Sequence, residues 1–191
     1  MEGSRARHRP LEARRAIPRL VRRLFQLAAA TVGRQRDREQ EVHLREAEAE
    51  LVVLAGYMRL LTPIFLEAFA GKVINIHPAL LPSFPGVHGG ADAVNYGVKV
   101  SGCTVHFVEE KVDSGPVLIQ AVVPVNAGES EDDLMSRIHV MEHRIYPQAI
   151  QWLAQGRIDV QGRQVHLKPG NSPRAPHDGD WLVWPPLEQG F

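Results

Sequence analysis

Short apolar runs punctuate the chain between about residue 50 and residue 125, and each run is bounded by glycine, proline or charge. Continuous runs of this length are typical of strands that are buried on both faces of a sheet. The pattern therefore predicts four core strands, and the last of them can bend near Pro124. The runs are LVVLAG (51–56), KVINI (72–76), GCTVHFV (102–108) and GPVLIQAVVPV (115–125).

Helical patterns fall between and after these runs. Thr62 and Pro63 form a cap and first-turn pair for a helix that stops at Gly71. Ser130 opens a long helix through about Ala154, whose apolar face recurs at helical spacing. That face comprises Leu134, Ile138, Met141, Ile145, Ala149 and Trp152. Weaker patterns predict three further elements: a mostly polar helix or half-helix in 35–50, a helix near 90–97, and a hairpin over 158–167 with Gln161-Gly162 at its turn.

Buried strands alternating with helices indicate an α/β fold: a Rossmann-like, largely parallel sheet with flanking helices. In such sheets, ligands bind beyond the carboxyl ends of the strands. Met58 and Arg59 follow the first run, Asn75 and His77 end the second, and Asp113 lies just past the third. We therefore expect an amide, an imidazole, a guanidinium and a carboxylate to converge on one edge of the sheet.

Composition narrows the function classes. The 191 residues fit one domain, the formal net charge is zero, and no run reaches the roughly 18 apolar residues of a membrane helix. The single cysteine, Cys103, lies in a strand pattern and is expected to be a buried thiol, which suits a reducing compartment. With no secretory signal, the default location is the cytoplasm, and neither a membrane nor a nucleic acid is the expected partner.

Residues 1–46 differ from the rest of the chain. They hold twelve of the eighteen arginines, no lysine and only six acids. An arginine-rich, acid-poor segment of this kind is typical of a transit peptide or of a nucleic-acid-binding arm. However, Ser4 is the only serine there, and the arginines form no helical stripe. We expect an atypical leader over 1–46, a catalytic domain over 47–168, and an irregular tail rich in proline and glycine over 169–191.

The stretch INIHPALLPSFPG (74–86) combines an amide, an imidazole and a stiff loop. Asn75 and His77 project to the same side of a strand, where an amide N–H can stabilise negative charge while an imidazole moves a proton. Without an adjacent Ser or Cys nucleophile, the group suits attack on a carbonyl by an external nucleophile, as in formyl, acyl or carbamoyl transfer. The alternative is a structural histidine in a turn rigidified by Pro78, Pro82 and Pro85.

Four blocks in order resemble the phosphoribosylglycinamide formyltransferase family, the folate-dependent glycinamide ribonucleotide transformylases of purine synthesis. The blocks are LVVLAGYMRLLTPIF, INIHPALLPSFPGVHG, GCTVHFVEEKVDSGPVLIQAVVPV and EHRIYPQAIQWLAQGRI, within about 47–167. The resemblance implies that Asn75 polarises the formyl carbonyl, that His77 donates a proton, and that Asp113 holds His77 protonated or shuttles its proton.

The resemblance also implies two binding regions. The folate co-substrate, 10-formyltetrahydrofolate, would contact Met58, Arg59, Leu60, Leu61, Asn75, Glu109, Glu110, Lys111, Val112 and Asp113. Glycinamide ribonucleotide would contact His88, His139, Val140, Met141 and Glu142. For His106, a structural histidine and a group lining the cleft are equally expected. The implied reaction needs no metal, and the implied partners are these small molecules, with the chain as a monomer or a homodimer.

Relatives with similar chemistry leave alternatives. A formyltetrahydrofolate deformylase would pass the formyl group to water, but usually carries a regulatory domain for which this leader is short. A methionyl-tRNA formyltransferase needs a tRNA-binding domain that the tail cannot supply. HVMEH (139–143) also fits an inverted zinc-peptidase pattern, in which His139 and His143 would lie one turn apart. A third ligand far downstream is then needed, and Glu188 is the only glutamate that follows His143.

The chain departs from the family at its start. The family opens with a buried strand and a glycine-rich loop that binds the substrate phosphate, whereas residues 1–46 hold only Gly3 and Gly33 and show no convincing strand. We therefore expect LVVLAG to be an exposed edge strand, and the N-terminal strands to be missing or replaced. The leader is then expected to be a truncated or mis-started segment, and the chain a catalytic domain or an inactive folate-binding remnant.

Overall fold

A computed structural model describes residues 24–28 (backbone only), 41–170, 183–188 and 190. Its main sheet has six strands in the order β1–β2–β3–β4–β5–β8, and β6 and β7 form a separate hairpin. The strands are β1 Leu24–Ala28, β2 Leu51–Ala55, β3 Val73–His77, β4 Val100–Phe107, β5 Val117–Pro124, β6 Ile158–Gln161, β7 Gln164–Leu167 and β8 Val183–Trp184. The helices are α1 Pro63–Ala68, α2 Gly89–Tyr96 and α3 Glu131–Ala154, besides a helical segment at 41–46.

The sheet is mixed, and most of its strands share one direction. β1, β2 and β3 pair in parallel, whereas β3–β4, β4–β5 and β5–β8 pair antiparallel. Since β4 reverses the direction and β5 restores it, β1, β2, β3 and β5 run the same way. The expected α/β, Rossmann-like architecture is confirmed, with the antiparallel pairs at one side of the sheet.

The expectation that LVVLAG forms an exposed edge is wrong. β1 pairs with β2 in parallel along its whole length, from Leu24 opposite Leu51 to Ala28 opposite Ala55. The sequence LFQLA (24–28) is a short apolar run directly after Arg22 and Arg23. Because charged residues dominate the segment before it, the hydrophobic pattern alone does not indicate a buried strand there. Residues 1–23 and 29–40 lie outside the described residues, and with them most of the expected leader and the first six residues of the predicted helix over 35–50. Of the part that is described, residues 41–46 are helical.

Two hydrophobic clusters cover the two faces of the sheet. Alternate residues of β2 divide between them: Leu51 and Val53 pack with α3, whereas Val52 and Leu54 pack with α1. This alternation follows from the two-residue period of a strand. The predicted apolar face of α3 is confirmed, since five of its six residues are buried and Met141 is partly buried against the same cluster. Side chains at even and odd positions of β3 therefore point to opposite faces of the sheet.

Local signals set several element boundaries. Thr62 caps α1 by accepting a hydrogen bond from the Phe65 N–H, and Ser130 caps α3 by accepting one from the Asp133 N–H. The turn of the β6–β7 hairpin comprises Gly162 and Arg163, one residue later than predicted, because Gln161 still pairs with Gln164. Within the region expected to be an irregular tail, Val183 and Trp184 form β8, which pairs with β5.

Candidate active site

Asn75 and His77 lie at the end of β3, where parallel strand order predicts a site. Asn75 is opposite His106 and His77 is opposite Thr104 in the antiparallel pairing with β4. Because directly paired residues share a face, the side chains of Asn75, His77 and His106 emerge on one side of the sheet. That side is the one on which Val73 packs with α1. The sheet itself therefore gathers one amide and two imidazoles.

The His77 ring is held between two partners. Its side chain is 4% exposed, its Nε2 lies 2.9 Å from the Phe84 carbonyl oxygen, and its Nδ1 lies 3.6 Å from Asp113 Oδ2. Since a carbonyl oxygen can only accept, Nε2 carries the proton in this hydrogen bond. Nδ1 is then the ring atom that faces the carboxylate. The arrangement fixes the orientation of the imidazole as proton transfer requires.

Asp113 reaches His77 through a loop, and not from the end of a parallel strand as the sequence pattern predicts. β4 runs antiparallel to β3, so Phe107 at the end of β4 lies opposite Ile74 and not beside His77. The connection 108–116, here called the Asp113 loop, brings the carboxylate back to the site. Asp113 Oδ2 accepts a hydrogen bond of 2.7 Å from the Gly86 N–H, and Oδ1 lies 3.7 Å from His106 Nε2. The convergence is therefore present, but a loop and not a strand end supplies its carboxylate.

His106 is buried and faces the same carboxylate. Its Nδ1 donates to the Phe107 carbonyl oxygen at 2.8 Å, and its Nε2 has no hydrogen-bond partner among the described residues. Burial lowers the pKa of His106, and the hydrogen bond to Phe107 and the charge of Asp113 oppose that shift only in part. A neutral ring with its proton on Nδ1 presents a lone pair, and no donor, toward Asp113.

The proline-rich loop after His77 is fixed by a buried polar network that the sequence reading missed. The Thr104 hydroxyl donates to the Ala79 carbonyl oxygen at 2.6 Å and accepts from the Leu81 N–H at 3.1 Å. Gln120 on β5 donates to the Leu81 carbonyl oxygen at 2.9 Å. A threonine and a glutamine inside apolar strands are the only sequence signal of this network. It holds the loop whose Phe84 carbonyl contacts His77.

A cavity of about 320 Å³ opens in front of these groups. Asn75, His77, His106 and Asp113 line it. The Asn75 amide makes no hydrogen bond to another described residue. Of the residues expected to contact folate, all except Lys111 line the cavity, and Met58, Leu60 and Val112 are largely exposed there. An apolar mouth with a polar end suits a ligand that joins an aromatic ring to a reactive polar group.

The residues expected to contact the ribonucleotide are only partly brought together. His139 and Glu142 line the cavity, with His139 Nε2 3.9 Å from Glu142 Oε2. Burial raises the pKa of Glu142, and the nearby His139 partly opposes that rise. His88, Val140 and Met141 do not line the cavity; Val140 is exposed and Met141 packs toward the core. Tyr146 donates to the Leu54 and Ile74 carbonyl oxygens and so fixes α3 beside β2 and β3.

The described residues contain no cluster of three or more His, Cys, Asp or Glu side chains with a geometry that could hold a metal ion. The sequence HVMEH forms part of α3. Within the same ranges, no helix is long and apolar enough to cross a membrane. Cys103 is buried in β4 as expected, and desolvation raises the pKa of its thiol.

Comparison with known proteins identifies the family. A model of the family described as "Formyl transferase" matches residues 5–150, which is most of the chain. The chain belongs to the formyl transferase family. This match also takes in most of the segment expected to be an atypical leader.

Individual formyl transferases resemble the chain over its central part. It is 45% identical to phosphoribosylglycinamide formyltransferase of Escherichia coli K12 over 131 residues, which are 69% of this chain and 62% of that one. It is 53% identical to the enzyme of the same name from Mycobacterium tuberculosis over 120 residues, covering 63% and 56%. The crystal structure of glycinamide ribonucleotide transformylase 1 from Symbiobacterium toebii matches with a TM-score of 0.70 at 47% identity, covering 72% and 65%. The chain thus spans about three fifths of these curated relatives.

Proposed function

We propose that this chain transfers a formyl group from 10-formyltetrahydrofolate to the amine of glycinamide ribonucleotide, a step of purine synthesis. The observation that carries the proposal is the juxtaposition of Asn75, His77 and Asp113 at one end of an apolar-mouthed cavity. The names of the relatives at 45% and 53% identity support the same reaction.

The three polar side chains have separate roles in the proposed reaction. When the substrate amine attacks the formyl carbon, negative charge develops on the formyl oxygen. The Asn75 amide N–H, which has no competing hydrogen bond to a described residue, stabilises that charge. His77 donates a proton to the departing folate nitrogen and regains one from the attacking amine, while Asp113 orients its ring and balances the charge of the protonated ring. Collapse of the adduct breaks the bond to the folate nitrogen, which leaves with a proton, and the amine keeps the formyl group.

The cavity fits a folate in its chemistry. Met58, Leu60 and Val112 offer exposed apolar surface at its mouth, where a flat aromatic ring system can be buried. Burying exposed apolar area contributes roughly 25 cal/mol per Å², so these side chains favour an aromatic co-substrate. Glu109 and Glu110 also line the cavity and add backbone and carboxylate groups for hydrogen bonds. The ribonucleotide would lie on the side of His139 and Glu142.

A formyl-transfer assay on the full chain tests the proposal. We expect Asn75→Ala and His77→Ala each to lower kcat by about 100-fold or more, with little change in the thermal midpoint. Asn95→Ala and His166→Ala are matched controls, because both side chains are exposed and away from the cavity. If His77→Ala retains the turnover of the unmodified chain, the assignment is wrong.

A second candidate is a folate-binding protein that does not turn over the ribonucleotide. Its support is the composition of residues 1–46, which contain only Gly3 and Gly33 where the resemblance implies a glycine-rich phosphate-binding loop. Calorimetric titration with a folate analogue and with glycinamide ribonucleotide separates the two candidates. Binding of both molecules favours the enzyme, and binding of the folate analogue alone favours the remnant. Release of formate without the ribonucleotide would instead reveal the deformylase reaction.

Three broader expectations belong to the same proposal. The partners are the two small molecules, the reaction needs no metal, and the chain acts in the cytoplasm as a monomer or a homodimer. Size-exclusion chromatography with light scattering decides the oligomeric state. Activity that survives a chelator such as EDTA supports the metal-free reaction.

A further inference from the structure

The Asp113 loop is held in a conformation that needs outside support. Asp113 has φ +49°, a left-handed conformation that residues with a side chain adopt only where surrounding contacts impose it. Gly115 runs so close to β4 that an added Cβ would lie 2.0 Å from the Phe107 carbonyl oxygen. Inside the loop, the Ser114 hydroxyl donates to the Lys111 carbonyl oxygen at 2.7 Å. The carboxylate is therefore carried by a tight, strained segment between β4 and β5.

The β6–β7 hairpin contacts this segment from outside the sheet. Arg163, in the two-residue turn at the tip of the hairpin, donates from Nη1 to the carbonyl oxygen of Ser114. Ser114 directly follows Asp113, so the guanidinium holds the peptide next to the strained residue. A charged donor makes a stronger hydrogen bond than a neutral one.

The position of the hairpin is fixed by contacts with the hydrophobic core and with the C-terminal segment. Ile158, Val165 and Leu167 pack against the main hydrophobic cluster. At the start of the hairpin, Arg157 donates from Nε to the Lys168 carbonyl oxygen at 3.1 Å, and its Nη1 pairs with Glu188 at 2.6 Å. The base of the hairpin is thus tied to the core and to the tail, and its tip projects to the Asp113 loop.

We propose that Arg163 is a positioning residue: through Ser114 it holds the Asp113 loop so that the carboxylate stays between His77 and His106. The proposal rests on the proposed function for its effect on rate, but not for its effect on geometry. Arg163 does not line the cavity and therefore acts on the reaction only through the loop. When the contact is lost, the loop relaxes and the carboxylate moves away from the two imidazoles.

Three variants of the full chain test the proposal. Arg163→Ala removes the donor, Arg163→Lys keeps a cationic donor on a side chain of similar reach, and Gln164→Ala changes the exposed neighbour as a control. The first measurement is the ¹H–¹⁵N spectrum of the imidazole rings without substrate. The second is kcat and KM in the formyl-transfer assay. The thermal midpoint shows that each variant is folded, as the exposed position of Arg163 leads us to expect.

We expect Arg163→Ala to shift the ring resonances of His77 and His106 and to lower kcat about tenfold, with both KM values within about twofold. Displacing a catalytic group by an ångström can cost up to 100-fold in rate. Arg163→Lys should restore most of kcat and of the ring spectrum, and Gln164→Ala should match the unmodified chain.

Other outcomes overturn one proposal or the other. If the ring spectra of Arg163→Ala and Gln164→Ala coincide, Arg163 does not position the carboxylate. A rise in KM at constant kcat would overturn it too, because that pattern indicates substrate contact. If the unmodified chain shows no formyl transfer, the proposed function fails, and the ring spectra alone still decide the role of Arg163.

Discussion

At the scale of single residues, backbone strain coincides with the site. Of the described residues, three non-glycine residues have positive φ, namely Glu48, Phe84 and Asp113. Phe84 and Asp113 are the two partners of the His77 ring, through a carbonyl oxygen and a carboxylate. Such conformations persist only where surrounding contacts impose them, and they cluster at functional sites. The strain therefore supports a functional His77 over a histidine that only fills a turn.

His106 couples folding to pH. Burial lowers its pKa below the ordinary value of 6.5, so the folded protein resists protonation of this ring. The unfolded chain binds that proton as the pH falls through 6.5, which favours unfolding. The shift of Glu142 has the opposite effect: its raised pKa favours the folded state toward low pH, and this contribution fades as the pH rises from about 4.5 through the raised value.

We predict that His106→Asn reduces the decrease in the free energy of unfolding that occurs as the pH falls into the mildly acidic range. Asn keeps a donor for the Phe107 carbonyl oxygen, since its amide nitrogen takes the place of Nδ1, but it does not titrate. Urea unfolding from pH 7.5 to 5.5 measures the effect. The unmodified protein should lose stability below pH 6.5 relative to the variant, and Glu142 cancels because both proteins contain it. Parallel curves would contradict a depressed pKa of His106.

At the scale of elements, the Asp113 loop depends on a glycine. The return of the loop passes the end of β4 so closely that position 115 has no space for a side chain. A different close contact occurs at Gly90 in α2, where an added Cβ would lie 2.7 Å from the Met135 sulfur. A methionine side chain can move aside, whereas a backbone carbonyl in a sheet cannot. Gly90 therefore serves as a matched control for Gly115, because both lack space for a Cβ atom but only the neighbour of Gly90 can move.

Gly115→Ala should destabilise the protein by about 3 kcal/mol, because the strand or the loop must shift to admit the methyl group. It should also lower kcat, since the shift displaces Asp113. Gly90→Ala should change stability by less than about 1 kcal/mol, with the gain in helix propensity offsetting the contact. Unfolding free energies and formyl-transfer rates of both variants check this. Equal effects would show that the space at position 115 does not matter.

At the scale of the whole molecule, the C-terminal segment completes the core. Gln148 of α3 is fully buried; its amide donates to the Pro186 carbonyl oxygen at 3.2 Å and accepts from the Glu188 N–H at 2.6 Å. Leu187 between them is 2% exposed and belongs to the main cluster, whereas Trp184 is 75% exposed. The tail thus covers the C-terminal half of α3, whereas the N-terminal half of the same helix lines the cavity.

Leu187→Ala should lower the free energy of unfolding by about 3 kcal/mol, because it leaves a cavity in the core. Trp184→Ala serves as the control in the same segment and should stay within about 0.5 kcal/mol. Chemical unfolding of the full chain measures both. A small effect of Leu187→Ala would mean that the tail is not part of the cooperative core in solution.

The sequence by itself determined the elements and the main candidates for the chemistry. Apolar runs predicted β2 to β5, capping residues predicted α1 and α3, and the spacing of Asn75 and His77 placed both on one face, because these features depend on local periodicity. The tertiary structure decided what depends on distant pairing. It placed β1 beside β2, reversed β4, and returned Asp113 to the site through a loop. It also brought Thr104, Gln120 and Arg163 to support residues up to 49 positions away. Strand direction and long-range contacts are set by packing of the whole chain, and no local pattern encodes them.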